Sequence, residues 1–282
     1  MTAGPSERRL AREAARRSRA RRHAVISAVS TVVLLGGLVS IIVTSQGWPT
    51  VREAFFSPSD FAHAFPRVLE GFWTDVKLFL IVEVAVLVLG LAVALVRTSG
   101  GPALFPLRLI AAVYTDLFRG LPTILVVYLV GFGVPALALS GLPTNLLVLG
   151  GSALALCYGA YVAEVYRAGI ESVHPSQRAA ALALGLSDTQ ATFHVVLPQA
   201  IRRVAPPLLN DFIALQKDVA LVSILGPLEA FRVGQIEAAS NFIYTPLVAA
   251  GVLYLCVTIP LTRYLDRLTR RRRLALGGGV AG

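Results

Sequence analysis

Apolar residues in this chain gather into long runs separated by short polar or basic connections. Residues 24–45, 121–140, 142–163 and 242–262 contain no charged residue. Each is close to the roughly 20 helical residues that cross a hydrocarbon core. Two further runs carry charges inside them: 78–96 holds Glu83, and 204–228 holds Asp211, Lys217 and Asp218. The pattern predicts an all-α, polytopic transmembrane helical bundle of six spans. Residues 46–72, with Pro49, Pro58 and Pro66 among aromatics, read as an outer loop or interfacial segment.

Composition agrees. The chain is 55% hydrophobic with a mean hydropathy of +0.69, and only 15% of its residues are charged. Soluble domains carry roughly 25% charged residues. A water-soluble globule is excluded.

The net charge of +10 could suggest nucleic acid, but the placement of the 26 basic residues points to a membrane. Residues 1–23 form an Arg-rich tail with eight arginines, and a second basic run, Arg263, Arg267 and Arg270 to Arg273, opens the C-terminal tail. Basic flanks mark the cytoplasmic side, so both termini are expected inside, which demands an even number of spans. Arg97, Arg108 and Arg119 then fall in one inner loop, and Arg167, Arg178, Arg202 and Arg203 in another. Only Arg52, Arg67, Lys77 and Arg232 fall outside, with Lys217 inside a helix. The arginines are topology anchors on this reading, with membrane lipid and not nucleic acid as their partner.

The run 24–45 is longer than a signal-peptide core and no small-x-small cleavage site follows it, so an uncleaved first helix is expected. The tail up to His23 and the Gly-rich tail after Leu276 are expected to be disordered. Cys157 and Cys256 lie in apolar runs, and His23, His63, His174 and His194 are scattered without ligand spacing. No metal or redox centre follows. No internal repeat is visible, so a two-fold pathway of the kind transporters use needs a second copy of this chain or a partner chain.

The inner loop 167–204 is too long and too patterned for a bare connection. His174-Pro175 breaks the preceding helix, and Gln177 to Leu184 forms a short helix studded with Ala179, Ala180, Ala181 and Ala183. Gly185 supplies a left-handed stop. Ser187-Asp188-Thr189-Gln190 is a capping-box pattern, predicting a second helix over Phe193, Val195 and Val196 as far as Pro198. The alanines either admit close approach by a partner's groove or cover the protein's own inner face.

At these residues the chain resembles the permease family of ATP-binding-cassette (ABC) importers. That family's cytoplasmic signature is Glu-Ala-Ala, three residues, Gly, nine residues, Ile, one residue, Leu-Pro. The same spacing here is Ala179-Ala180-Ala181, Gly185, Val195 and Leu197-Pro198. Ala160 to Arg167, Ala183 to Ser187, Val196 to Ala200, Pro207 to Ile213, Lys217-Asp218 and Phe118 to Pro122 narrow the likeness to the polar amino-acid branch. It covers residues 71–266 and leaves 24–45 as a helix additional to a five-helix core. The resemblance implies that Ser176, Gln177, Arg178, Ala179, Ala180, Ala181, Gly185, Leu186, Ser187, Leu197 and Pro198 couple to a cytoplasmic ABC ATPase dimer. It further implies a second permease, an extracytoplasmic solute-binding protein, a bacterial inner-membrane location and transport of an amino acid or similar small polar solute by alternating access. The chain has no Gly-x-x-x-x-Gly-Lys-Ser/Thr loop, so ATP is expected on the partner ATPase, with no cofactor and no enzymatic activity on this chain. Three departures stand out: Ala179 replaces the family's glutamate, Leu121 its usual threonine, and Val219-Ala220 its usual Thr-Ser.

Ionisable groups inside a membrane are costly and face the bundle interior or a water-filled path. Asn210 and Lys217, like Asp211 and Asp218, are seven apart and share a helix face, forming a polar stripe. Lys217 has no acid three or four residues away, so Glu83 or Glu164 is its expected partner. Glu83, Tyr161, Glu164, Asn210, Asp211, Lys217 and Asp218 are therefore candidates to line a solute path, or else to form an ion-pair network between helices. A rival class, a proton-coupled secondary transporter, would use Glu83 and Asp211 as proton carriers.

Overall fold

A computed structural model describes residues 7–99 and 102–277, and these contain helices, turns and no strand. The chain divides into two compact units, Met1–Phe56 and Ser57–Gly282. The first unit holds α1 (Glu7–Val43) and the short α2 (Trp48–Phe55), with the Trp48 and Phe56 rings 6.4 Å apart. The N-terminal tail was expected to be disordered, yet α1 is helical from Glu7. Its Ala, Arg, Glu and Leu residues are good helix formers and prolong the apolar helix without a breaker.

The second unit is organised around α3 (Pro58–Thr98) and α6 (Leu146–Glu171). Ser57 caps α3 by accepting the Asp60 amide at 3.4 Å, and Pro58 occupies the first turn, where its missing N–H costs nothing. The expected outer loop over 46–72 is thus largely helix: α2, then the first part of α3, with Pro66 inside it. A single buried stripe explains why α3 persists. Ala64, Val68, Phe72, Asp75, Phe79, Val82, Val86, Gly90 and Ala94 recur every three or four residues along one face.

Gly90 is where α3 presses closest on α6, since a Cβ there would lie 2.6 Å from Val162 Cγ1. Packing through small residues draws helix axes together where lipid provides no hydrophobic drive between helices. Phe79, Val82 and Val86 of α3 join Leu154, Cys157, Tyr158 and Val162 of α6 in the main core. A second cluster unites Ala64, Val68 and Phe72 with Ala230, Ala249 and Ala250.

Two predicted spans are bent. Arg108 and Arg119, assigned to an inner loop, instead lie on α4 (Phe105–Gly120), which turns through 109° into the 14-residue α5 (Thr123–Ala136). The break falls at Leu121-Pro122, because proline disfavours helical geometry in the residue before it. The run 204–228 is likewise not one helix: α9 (Leu197–Asp218) tightens into a 3-10 turn over Val219–Leu225. Gly226, at φ +107°, then redirects the chain into α10 (Ala230–Asn241), an element the apolar pattern did not predict. The last helix, α11 (Thr245–Gly277), runs well past 262 into the basic tail, whose remaining residues lie outside the described region. Among the described residues four helices are long and apolar enough to cross a membrane, or six if each bent pair is one span.

Candidate functional site

The loop between α6 and α9 has a defined build. His174 caps α7 (Pro175–Ala183), its Nδ1 accepting the Ser176 amide at 3.2 Å. Gly185, at φ +87°, ends the helix, with its amide on the Leu182 carbonyl at 2.9 Å and that of Leu186 on Ala181 at 3.2 Å. A side chain resists that φ, and glycine does not. Ser187 and Gln190 then bond reciprocally: the Gln190 amide donates to Ser187 Oγ at 3.3 Å and the Ser187 amide to Gln190 Oε1 at 2.9 Å. This capping box starts α8 (Asp188–Ala191).

Pro198 does not end the following helix, as the sequence led us to expect. A π-turn over Thr192–Val196 leads straight into α9, placing Leu197 and Pro198 in its first turn, where no amide donor is needed.

Of the alanines, Ala181 is buried, whereas Ser176, Gln177, Arg178, Ala179 and Ala180 are exposed. Leu184, 84% exposed, and Phe193, 61% exposed, add apolar surface beside them.

The α6 end of this loop is anchored in a charge cluster, and the α9 end is tied to it through Ser172. Glu164 Oε2 meets Arg97 Nη1 at 2.9 Å and Arg119 Nη1 at 3.9 Å, while Arg167 pairs with both Glu164 and Glu171. Arg97 also donates to Thr115 Oγ1 at 3.0 Å, so α3, α4 and α6 are tied together. Arg203 of α9 donates to the carbonyl and, at 2.9 Å, the hydroxyl of Ser172, just after α6. In the sequence the arginines 97, 119, 167 and 203 served as topology markers, and Arg119 and Arg167 also as part of the family resemblance, but none was a site candidate. The Glu164–Arg167 spacing of three was the local signal for part of this network.

The predicted stripe on α9 divides. Asn210 and Lys217 are exposed, whereas Asp211 and Asp218 are partly buried. Tyr158 donates to Asp218 Oδ2 at 2.7 Å. Lys217 makes no ion pair with Glu83 or Glu164 among the described residues, because it leaves α9 on the exposed face and Glu164 is taken by arginines. Glu83 lies within electrostatic reach of Asp211, whose Oδ2 is buried and without a hydrogen-bond partner. A cavity of about 430 Å³ is lined by Arg119, Tyr161, Glu164, Arg203, Pro207 and Asp211 among others. The Tyr161 hydroxyl donates to the Arg119 carbonyl at 3.3 Å, and the Arg119 guanidinium lies 5.9 Å from the Tyr161 ring centre. The cavity thus gathers Tyr161, Glu164 and Asp211, while Glu83, Asn210, Lys217 and Asp218 are not among its lining residues.

A second polar cluster escaped the sequence reading. Asp75, 2% exposed, accepts at Oδ2 from Tyr254 Oη at 2.8 Å and from the Ala230 amide at 3.3 Å, its Oδ1 is buried without a hydrogen-bond partner, and the carboxyl of Glu229 lies within electrostatic reach. Glu229, 1% exposed, caps α10 by accepting the amides of Phe231 at 2.8 Å and Arg232 at 2.6 Å. The signal was Asp75's place in the apolar stripe between Phe72 and Phe79. Asp75 and Arg97 are 22 residues apart on α3, roughly 33 Å along its axis. The two polar clusters therefore lie about one hydrocarbon thickness apart, with Glu83 between them on the same helix.

Comparison with known proteins agrees with this architecture. Residues 87–274 match the family model described as "Binding-protein-dependent transport system inner membrane component". The chain is 32% identical over 217 residues to the arginine transport system permease protein ArtQ of Bacillus subtilis (strain 168), covering 76% of this chain and 96% of that protein. It is 34% identical over 212 residues to the glutamine transport system permease protein GlnP of Escherichia coli (strain K12), covering 75% and 95%. The fold matches a chain from the crystal structure of an amino acid ABC transporter with histidines, with a TM-score of 0.68 at 29% identity, covering 76% of this chain and 98% of that one.

Proposed function

The chain belongs to the family of inner membrane components of binding-protein-dependent transport systems, and from this premise we propose that it is the permease subunit of an ABC importer that carries an amino acid across the inner membrane. Relatives that transport arginine and glutamine align along nearly their whole length, which supports an amino-acid solute. The chain itself performs no bond chemistry and holds no nucleotide. ATP is consumed by a cytoplasmic pair of ATPases, an external binding protein delivers the solute, and a second permease completes the pathway. Both termini lie on the cytoplasmic side, with the Arg97–Glu164 cluster at that face and the Asp75–Glu229 cluster at the outer one.

The observation that carries this reading is the loop from Pro175 to Leu197. Its α7 presents Ala179, Ala180 and Leu184 outward, a small-residue and apolar face that fits a groove in the ATPase. The glutamate of the family's motif is Ala179 here, so docking relies on this apolar face and on the loop's remaining polar groups. Little slack separates α7 from the pathway. Three residues join α6 to α7, and the π-turn runs directly into α9. Displacement of α7 by closing ATPases is passed to α6 and α9, which carry Glu164 and Asp211 at the cavity.

The test is co-purification from native membranes, with and without Gly185→Trp, followed by uptake into proteoliposomes. Capture of an ATPase that is lost with the variant, together with ATP-driven amino-acid uptake, supports the reading. Uptake driven by a proton gradient with no ATPase attached overturns it in favour of a secondary transporter.

A further inference from the structure

We propose that the cleft between α3 and α6 binds one anionic phospholipid of the outer leaflet, its phosphate held by Lys77 and Thr74 and one acyl chain lying along the cleft. The choice of leaflet rests on the topology of the permease reading; the contact itself does not.

The two helices enter the bundle from the same side, since Gly151 meets Leu78 and Val82, Gly90 meets Val162, and Arg97 meets Glu164. Between them lies a cavity of about 480 Å³, with Thr74 and Lys77 at one end and Ile81, Ala85, Gly151 and Ala155 beyond. Thr74 and Ala85 are 11 residues apart on α3, roughly 16 Å along its axis. That is about half of a hydrocarbon core of roughly 30 Å, the depth of one leaflet. The cleft stays open because Ala85, Gly151 and Ala155 have no side chain long enough to bridge it. This side of α3 faces outward from the bundle, with Ile81, Val84 and Val88 62–70% exposed. An empty recess there forfeits dispersion contacts that an acyl chain restores.

The polar end of the cleft sets the headgroup. Lys77 lies two residues past Asp75, roughly 3 Å deeper along α3, so it sits at the outer hydrocarbon boundary. Its Nζ is 5.8 Å from the centre of the exposed Trp73 ring, an aromatic of the kind that anchors at headgroup level. Among the described residues no carboxylate lies within ion-pair distance of Lys77, and Asp75, the acid nearest in sequence, is buried and bonded to Tyr254 and the Ala230 amide. An ammonium at this depth extends toward lipid phosphates. Phosphatidylethanolamine brings its own ammonium to offset its phosphate. Phosphatidylglycerol does not, and its unmatched charge is the one that Lys77 complements.

The experiment is native mass spectrometry of the delipidated permease–ATPase complex titrated with dioleoylphosphatidylglycerol or dioleoylphosphatidylethanolamine, with glycerol 3-phosphate as a competitor lacking acyl chains. Phosphatidylglycerol should bind about fivefold more tightly than phosphatidylethanolamine, and glycerol 3-phosphate should not displace it. Lys77→Gln should lower phosphatidylglycerol affinity by about fivefold and leave that of phosphatidylethanolamine unchanged. Ala85→Leu, which fills the cleft, should weaken both. Lys77 and Ala85 are exposed, so both variants should melt with the parent. Equal affinity for the two lipids, or phosphatidylglycerol binding unmoved by either variant, overturns the proposal. Displacement by glycerol 3-phosphate also overturns it, by reducing the site to a phosphate contact. Loss of permease pairing with Ala85→Leu while lipid binding persists assigns the cleft to a second permease instead.

Discussion

Arg97 and Glu164, 67 positions apart in sequence, meet at 2.9 Å where the C-terminal end of α3 crosses α6. Because Arg167 and Arg119 converge on the same carboxylate, one side chain holds the ends of three helices together. Glu164→Ala would leave these guanidiniums without their shared acceptor in a region only 19–25% exposed for Arg97, Arg167 and Glu164. We expect a loss of about 1–3 kcal/mol in stability, measured as thermal unfolding in detergent. Glu164→Gln, which keeps an acceptor oxygen but not the charge, should fall between. A Glu164→Ala protein as stable as the parent would show that the network is not structural.

Leu184 tests the coupling loop without touching the fold. It is 84% exposed, so Leu184→Asp removes no packed contact and should leave thermal unfolding within about 0.5 kcal/mol of the parent. If α7 seats in an ATPase groove, a charge there must be desolvated against an apolar wall, and ATPase binding should weaken by about tenfold or more. The check is co-purification yield alongside the melting curve. Unchanged capture of the ATPase would place the docking surface elsewhere.

The capping elements of the loop were readable because they are local. Ser187 and Gln190, His174-Pro175 and Gly185 each act on neighbours within three residues. The cores of the apolar runs were readable for the same reason. What the sequence concealed was set by partners far along the chain. Residues 58–72 carry three aromatics and Pro66, which reads as a loop, but they form helix because Ala64, Val68 and Phe72 pack on Ala230, Ala249 and Ala250. The acidic candidates could be named but not sorted. Only the fold shows that Glu164 is held by arginines from two other helices or turns, that Asp218 receives Tyr158, and that Lys217 faces away. The bend at Leu121-Pro122 has a local cause, whereas its 109° angle joins two helices, α4 and α5, that both pack against α6 far along the chain.

At the other polar cluster, two roles of Glu229 can be separated by substitution. Its carboxylate caps α10 and also faces the neighbouring carboxyl of Asp75. Glu229→Gln retains an oxygen to accept the amides of Phe231 and Arg232 and removes one of two neighbouring carboxyls, so stability should change by less than about 1 kcal/mol. Glu229→Ala loses the cap, costing about 2–4 kcal/mol. Tyr254→Phe should cost about 1–3 kcal/mol, since Asp75 keeps only the Ala230 amide as a donor among the described residues. Equal melting temperatures for Glu229→Gln and Glu229→Ala would overturn this account of the cap.

Two glycines on α3 predict opposite genetics. A Cβ at Gly90 would meet chiefly a side chain, Val162 Cγ1 at 2.6 Å and Cβ at 3.0 Å, with the Ala163 nitrogen at 3.1 Å, whereas one at Gly71 would meet backbone, the Ala230 nitrogen and Glu229 carbonyl carbon at 2.7 Å. Gly90→Ala should destabilise by about 1–3 kcal/mol as α3 and α6 are forced apart, and Val162→Ala in the same chain should recover part of that by clearing the nearer methyl groups. Gly71→Ala admits no such remedy, because no side-chain truncation shifts the turn that carries Ala230. The comparison is made by melting temperature and by yield of folded protein in membranes. Gly71→Ala should be the worse of the two, since the displaced turn also carries the Glu229 cap and the Asp75 contact. Rescue of Gly71→Ala by any single truncation near the crossing, or failure of Val162→Ala to rescue Gly90→Ala, would show that the approach of these helices is looser than the Cβ positions require.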